Sequence, residues 1–575
     1  MSEFFGTDLK TLDFKGLNAV CEKLREKIIS TVMNNGGHLS SNLGIIELTV
    51  ALHYVFDFPT DKIIFDVGHQ CYAHKLLSGR ERGFSTLRKR GGISGFPKRE
   101  ESEYDCYNTG HAGTSVSAAL GFAKARDIQG DNFNVIAIIG DGSFNNGLVY
   151  EAFNSLRPLN TNILVILNDN GMSISPTVGS MHEYLEQLSQ NDKFREKVEK
   201  HTNIFERFGF SYDGVYDGND LDCMIEKLTE IKEKLKTQSV ILHVATKKGK
   251  GYSFCEEHPQ QTHGITCGGK HIKTSYSEVL GKTLCTLAEK NRSIVAVTAA
   301  MTPSLGLSDF FEKFPDRAID VGICEEHATI LCAALAAQGL KPYYAVYSTF
   351  LQRSFDEIIV DICSQNLPVT ICIDRAGISG EDGETHQGVF DLSFLNMIPN
   401  LTIAVPKDIT EFEKMLIFSE SFNKPLAIRY PKDCRIVFEG GEGDFEFGKW
   451  EYLNRGEGKI AVLACGERSI KTALEINAHF DGKLTVINAR FVKPLDLKTL
   501  DGLTENLLIT IEENQLSGGF GSSVCGYFSD NTQKSVKAFG YADKFIPHGT
   551  VDELTKEFGA DKNTIINYIN ENANR

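Results

Sequence analysis

The sequence predicts an α/β protein of three successive α/β blocks with mainly parallel sheets. Short runs rich in Val and Ile end in small polar residues and alternate with helical stretches, the pattern of βαβ units. Such runs recur along 575 residues, too long a chain for one core. Two compositional breaks divide it: the Lys-, Gly- and His-rich "ATKKGKGYSFCEEHPQQTHGITCGGKHIKTS" and the acidic "FEGGEGDFEFG". The expected domains are 1–272, 273–440 and 441–575. Three blocks fit the length better than one barrel.

The first block carries apolar runs at Val135–Ile139 and Ile163–Leu167, and a strand at Val240–Thr246. The first run stops at Gly140-Asp141-Gly142, the second at Asn168-Asp169-Asn170, with a helix between. In parallel sheets ligands bind outside the carboxyl ends of the strands, where both polar clusters would sit. The Lys-Gly-His stretch after this block reads either as a mobile segment over an active site or as a linker. Strands of the second block are expected at Ile294–Val297, Tyr343–Val346, Val369–Ile373, Thr402–Val405 and Leu426–Arg429. Those of the third are expected at Ile460–Ala464, Leu484–Ile487 and Leu508–Ile511.

Bulk composition narrows the function. The chain carries 60 Lys+Arg against 76 Asp+Glu, a formal charge of -16, which argues against non-specific binding to nucleic acid or anionic membranes. Fourteen cysteines include no C-x-x-C pair, so they read as buried reduced thiols rather than zinc or redox motifs. The start, "MSEFFGTDLKTLDFKG", lacks the basic and apolar regions of a signal peptide, and no apolar run is long enough to span a bilayer. A cytoplasmic protein is expected.

Asp141 and Asn170 offer hard oxygen ligands. With a backbone carbonyl just after Asn170, two diphosphate oxygens and a water, they would complete an octahedral magnesium shell. Gly140, Gly142 and Gly171 would let the backbone approach phosphates. Asp-Gly and Asn-Gly are also ordinary turn signals, so either cluster alone says little. Further on, "DVGICEEHATILCAALAAQG" reads as a strand at Asp320–Ile323, then Glu325-Glu326-His327 at the start of an Ala-rich apolar helix. A glutamate in an apolar pocket keeps a raised pKa and can hold a proton to share. Helix N-capping accounts for an acid there equally well.

Taken together, the pairing of GDG and NDN at adjacent strand ends resembles thiamine-diphosphate enzymes. Across nearly the whole chain the sequence resembles the 1-deoxy-D-xylulose-5-phosphate synthases, within the transketolase-like family. "HLSSNLGIIELTVALHYVF", "FDVGHQCYAHKLLSGR" and "ESEYDCYNTGHAGTSVSAALG" are similar to that family's first domain, and "GDG…NDNGMSIS" to its metal motif. "EEHA", "YSTFLQRSFDEIIVD" and "DRAGISGEDGETHQGVFDLS" resemble its second domain, with "YSTFLQR" and "DRAG" the most diagnostic.

The resemblance implies thiamine diphosphate and Mg2+ as cofactors, in a transketolase-like architecture. Asp141, Asn170 and the Met172 carbonyl match the metal ligands. Glu325 matches the activating glutamate better than Glu326, standing two before His327 as in the family's Glu-x-His pattern. Phe350 matches the aromatic that stacks on the aminopyrimidine. His38, His111, His263, Asp382 and His386 match the polar residues around the thiazolium carbon and bound carbonyls. The cofactor-binding set adds His69, Gly110, Ala112, Gly142 and Ser143 to His38, His111, Asn170, Glu325 and Phe350. Tyr347, Arg353, Arg375 and Arg429 match the acceptor end, with Arg375 and Arg429 on the aldehyde's phosphate. Each has a plainer alternative. His69 and His74 also read as packing residues of a helix start, and an arginine ending an apolar strand also serves to satisfy a helix or a carboxylate. Two arginines converging on one pocket would suit bidentate phosphate binding.

The activity implied is decarboxylation of pyruvate and transfer of its two-carbon unit to D-glyceraldehyde 3-phosphate. The product, 1-deoxy-D-xylulose 5-phosphate, is a precursor of isoprenoids, thiamine and pyridoxal. The alternative is a transketolase or related transferase with another donor or acceptor. The partners implied are small-molecule substrates and a second copy of the chain, in a homodimer with each active site between the first two domains of one chain. Two departures stand out: a terse stretch where the family carries a longer insertion after the metal motif, and a His263 loop, "QTHGITCGGKH", without the usual aromatic before the His or the Pro-Phe after it.

Overall fold

The computed structural model describes residues 8–172, 177–190, 203–265, 275–432, 436–438, 441, 445–531 and 533–572. The chain forms two compact units, one of Met1–Lys270 with Gly322–Cys324 and the other of His271–Val321 with Glu325–Arg575.

The first unit is built on five strands: β1 (Lys62–Phe65), β2 (Val135–Gly140), β3 (Leu164–Asp169), β4 (Ser211–Asp217) and β5 (Val240–Ala245). All pair in parallel, in the order β1-β2-β3-β5-β4. Strands β2, β3 and β5 are buried on both faces, which is why they read as unbroken apolar runs rather than alternating ones. The helix Phe14–Asn35 and its neighbours cover one face of the sheet; the helices Ser115–Gln129 and Gly147–Leu159 cover the other.

The second unit carries two sheets. Its first strands are β6 (Ile294–Thr298), β7 (Ala318–Asp320), β8 (Lys341–Tyr347), β9 (Thr370–Asp374), β10 (Thr402–Ala404) and β11 (Leu426–Arg429). Then come β12 (Glu451–Asn454), β13 (Ile460–Ala464), β14 (Thr485–Asn488), β15 (Phe491–Lys493), β16 (Leu507–Gln515) and β17 (Ser535–Tyr541). One sheet runs β15-β10-β11-β9-β8-β6-β7, the other β12-β14-β13-β16-β17. Both are parallel except at β10–β15 and β12–β14, so the mainly parallel α/β architecture is as the sequence indicated. Strand β15 leaves the last sheet to pair with the edge of the preceding one.

One expectation needs correcting. The strand read at Asp320–Ile323 lies earlier, at Ala318–Asp320. Asp320 accepts hydrogen bonds from the Ala300 amide at 2.7 Å and the Thr302 hydroxyl at 2.7 Å, ending the strand, and Gly322 at φ 72° turns the chain.

A buried charge cluster ties the two sheets of the second unit. Glu411, on the helix Ile409–Ser421, faces the Arg490 Nε at 3.0 Å. Arg490 also meets Glu451 at 2.9 Å, and Lys407 meets Glu451 at 2.6 Å. Asn488 donates to both glutamates, at 3.1 and 3.0 Å. Removing one member strands buried charge on the rest. Arg490→Ala is therefore expected to cost about 3–5 kcal/mol, read as a lower denaturation midpoint. A midpoint unchanged from wild type would show that the remaining charges repair themselves.

Candidate active site

In the first unit, the ends of β2 and β3 lie level, with Gly140 opposite Asn168. Asp141 opens the turn Asp141–Phe144, which buries Gly142 and Ser143. The Asp141 carboxylate accepts from the Asn170 amide at 3.4 Å and from the Thr177 hydroxyl at 2.6 Å. Burial, with the nearby charge of Asp169, pushes its pKa up to about 6. Burial works in the same direction on Asp169, but the hydrogen bond from His243 at 3.2 Å carries that carboxyl below its ordinary range. Asn170 Oδ1 is buried and accepts no hydrogen bond among the described residues. Gly171, at φ 69°, bends the backbone just beyond it, and Met172 ends the described part of this loop. Lys248 is buried nearby; burial pushes its pKa down to about 8, with Asp141 acting against that. Among the described residues no group of three or more His, Cys, Asp or Glu is arranged to hold a metal by itself. A carboxylate and an amide oxygen at two strand ends suit a hard cation that brings phosphate oxygens of its own.

The loop Gly110–Ala112 is held from β1. Asp66, one residue past that strand, accepts from the Gly113 amide at 2.8 Å and the Ser115 amide at 3.0 Å. Gly113, at φ 81°, lies so close to Asn146 that a Cβ would fall 2.5 Å from its Oδ1. Gly110 and Ala112 are thereby buried and His111 partly so. Asn146 in turn donates to the Ile323 carbonyl at 3.0 Å.

Three predicted histidines come together. The ring centroids of His38 and His69 lie 5.1 Å apart, those of His38 and His263 5.5 Å, and those of His69 and His263 5.3 Å. Burial, with the charges of Lys248 and the other two rings, holds His263 well below its ordinary pKa. The loop carrying His263 is pinned by two Gly37–Ile265 backbone hydrogen bonds of 2.8 Å and by the Ser40 amide on the Thr262 carbonyl at 3.1 Å. Residues 266–274 of this stretch lie outside the described residues. His74 separates from His69: it bonds His53 at 2.9 Å and Asp105 at 3.2 Å inside the core.

In the second unit, Glu325 begins the helix Glu325–Ala337 and is 2% exposed. Its Oε2 has no hydrogen-bond partner among the described residues. Burial pushes its pKa up to about 7, with the charge of Arg353 pulling the other way. Arg353, expected at the acceptor end, is also near enough for its charge to act on Glu325. Phe350 follows β8 and stacks on Tyr347 at 5.6 Å, with His386 edge-on at 5.7 Å. Thr349 donates to the Thr385 carbonyl at 2.7 Å, tying the Phe350 turn to the loop that carries Asp382 and His386. Asp382 is half-buried there. The Arg375 guanidinium lies 3.9 Å over the Tyr347 ring. Arg375 holds φ 57°, a conformation costly for a non-glycine residue. Asp374 sustains it, accepting from the Arg375 amide at 2.6 Å and from its guanidinium at 2.7 Å. Arg429, by contrast, is buried and ion-paired with Asp391 at 2.9 Å.

Residues 5–203 and 190–246 match the family model described as 1-deoxy-D-xylulose-5-phosphate synthase. Residues 272–434 match the transketolase pyrimidine binding domain and 448–565 the transketolase C-terminal domain. The 1-deoxy-D-xylulose-5-phosphate synthase of Clostridium tetani is 44% identical, over 98% of this chain and 97% of its own. The chain belongs to the 1-deoxy-D-xylulose-5-phosphate synthase family. A second such synthase, from Caldanaerobacter subterraneus, is 45% identical over 98% of this chain and 97% of its own. Among solved structures, a transketolase from Campylobacter jejuni aligns with 97% of this chain and 100% of its own at 19% identity and a TM-score of 0.45, too loose a likeness to support an argument.

Within this 1-deoxy-D-xylulose-5-phosphate synthase family chain, sequence reasoning missed the residues that support the named ones: Asp66, Asn146, Thr177, Lys248, Asp374 and Asp391. Asp66 and Asp374 had a visible signal, each an acid at the polar end of an apolar strand. Lys248 lay among three other lysines in "TKKGKGY" and "GGK", with nothing to single it out.

The Glu325 carboxyl has a consequence for stability. The folded chain keeps that proton up to about pH 7, whereas an ordinary glutamate releases it near 4.5. The folded state therefore binds more protons across this window, and stability falls as pH rises through it. Calorimetry on cofactor-free protein should find Glu325→Gln melting above wild type at pH 8, by a margin that shrinks at pH 5. An equal margin at both would mean the carboxyl titrates normally.

Proposed function

We propose that this chain forms 1-deoxy-D-xylulose 5-phosphate and carbon dioxide from pyruvate and D-glyceraldehyde 3-phosphate, using thiamine diphosphate and Mg2+. The observation that carries the reading is Glu325: a buried carboxyl, with one oxygen unengaged among the described residues and its pKa raised to about 7. That is what protonating a ring nitrogen requires. The unengaged Asn170 Oδ1 beside Asp141 fits a magnesium diphosphate in the same way.

Asp141, Asn170 and the Met172 carbonyl would ligate magnesium, and Gly142, Ser143 and the Gly110–Ala112 loop would take the diphosphate. Phe350 offers its ring face to the aminopyrimidine while Glu325 shares its proton there. Thiamine diphosphate, when bound, supplies a thiazolium carbon that adds to the pyruvate carbonyl and accepts the electron pair left by carbon dioxide. His38, His69, His111 and His263 would hold protons against the oxygens that develop charge, and a neutral His263 suits an N–H donor there. Asp382 and His386 would orient the aldehyde carbonyl, and Tyr347, Arg375 and Arg429 its phosphate end.

In this reading 1–272 serves as the diphosphate- and metal-binding domain, 273–440 as the aminopyrimidine-binding domain and 441–575 as the C-terminal domain. A homodimer, and a place in the cytoplasm supplying isoprenoid and thiamine synthesis, follow from the family resemblance. With labelled pyruvate, D-glyceraldehyde 3-phosphate, Mg2+ and thiamine diphosphate, mass spectrometry should find labelled deoxypentulose phosphate that depends on both substrates. Glu325→Ala should abolish it while calorimetry still registers cofactor binding. Turnover of ketose-phosphate donors with no carbon dioxide from pyruvate would favour a transketolase reaction instead, and full activity in Glu325→Ala would remove the mechanism.

A further inference from the structure

Arg429 ends β11 and is 2% exposed, yet its guanidinium is not fully engaged. Its Nε donates to both carboxylate oxygens of Asp391, each at 2.9 Å. Its Nη2 donates to the Glu513 carbonyl at 2.6 Å and the Gly388 carbonyl at 3.3 Å. Nη1 alone has no partner among the described residues. Two of the three nitrogens are therefore fixed from two directions, which leaves the side chain no rotation, and the third is held in reserve.

Asp391 is itself tightly held. It is 0% exposed and opens the helix Asp391–Asn396. Oδ1 accepts from the Leu392 amide at 2.8 Å and Oδ2 from the Ser348 hydroxyl at 2.9 Å. A buried carboxylate with this many donors has one orientation, and its charge keeps a buried guanidinium in place without water. We propose that Asp391 is a positioning residue for the acceptor's phosphate, acting through Arg429 so that the Nη1 edge is already aimed when the phosphate arrives. The proposal rests on the reading of Arg429 as a residue of the acceptor end. It assigns a part to the third sheet as well, because the Glu513 carbonyl comes from β16. Preorganisation of this kind is expressed in affinity for the group contacted, since an arginine held in advance loses no rotamer freedom on binding.

The test compares two acceptors, D-glyceraldehyde 3-phosphate and unphosphorylated D-glyceraldehyde, in the protein loaded with Mg2+ and thiamine diphosphate. Asp391→Asn keeps the shape but loses the charge and one acceptor. It should raise the KM for the phosphorylated aldehyde about tenfold or more. KM for pyruvate, and for D-glyceraldehyde, should stay within about twofold, since neither carries the phosphate that Arg429 would contact. Ser348→Ala removes a single bond to Asp391 and should move the same parameter the same way by less; if Asp391→Asn does not fold, that variant decides. An equal loss with both aldehydes would mean a merely structural role and overturn the proposal. So would wild-type behaviour of Asp391→Asn beside a raised KM in Arg429→Met, although Arg429 would then keep its assignment. If Arg429→Met itself leaves the phosphorylated aldehyde unaffected, the reading of Arg429 fails and the proposal falls with it. No wild-type turnover of either aldehyde would overturn the proposed function.

Discussion

The backbone of a parallel strand buried on both faces finds all its hydrogen bonds inside the sheet, and polar side chains are costly along its length. They collect where the strand stops. This constraint governs where chemistry appears in the chain. Asp66 follows β1, Asp141 follows β2, and Asn170 follows β3. In the second unit Tyr347 ends β8, Arg375 follows β9 and Arg429 ends β11. Each of these strands supplies a rigid base, and the residue at its end inherits that rigidity. The supporting residues hold what the strands present: Asp66 the Gly113 turn, Asp374 the strained Arg375, Asp391 the buried Arg429.

Burial also sets the electrostatics of the candidate residues within each unit. The same physical cause raises Glu325 and Asp141 and lowers Lys248 and His263, because removing water disfavours whichever form is charged. The neighbouring charges then modify the result: Asp169 adds to the rise at Asp141, Arg353 moderates the rise at Glu325. Glu325, Asp141 and Lys248 are thus brought toward neutral pH, and His263 is moved below it, without unusual chemistry in the sequence around them. The pattern is one reason an active site need not be the most conspicuously charged part of a protein.

How much of this was legible in the sequence follows from the same constraint. Every strand read from it in place is an interior strand: β2, β3 and β5 in one sheet, β6 and β8 to β11 in the next, β13, β14 and β16 in the last. The strands missed or displaced are β1, β4, β7, β12, β15 and β17, and each is an edge. An edge strand meets water and is short or polar. Ser211–Asp217, with its Gly214, and Ser535–Tyr541, partly exposed over most of its length, lack the unbroken apolar run that betrays a buried strand. The site residues divide similarly. The strand ends mark Asp141, Asn170 and Arg375 as candidates, and Asp66 and Asp374 carry the same mark although their supporting roles show only in the fold, while His38, His69 and His263 come together from three distant segments. Arg429 was named too, but its ion pair with Asp391 joins residues 38 apart in the chain, and no local pattern announces such a bond.

The crossing of β15 has a consequence for how this protein can be divided. The acidic stretch "FEGGEGDFEFG" looks like a natural seam, and composition alone would invite a cut there. Yet Phe491–Lys493, well beyond it, seals the flank of β10 by antiparallel pairing. A chain ending at the seam would present β10 as a naked, flat, apolar template, open to any other copy that came near. The physical joint between these two blocks is woven rather than hinged, so a gene encoding them would resist being split where its sequence most suggests it.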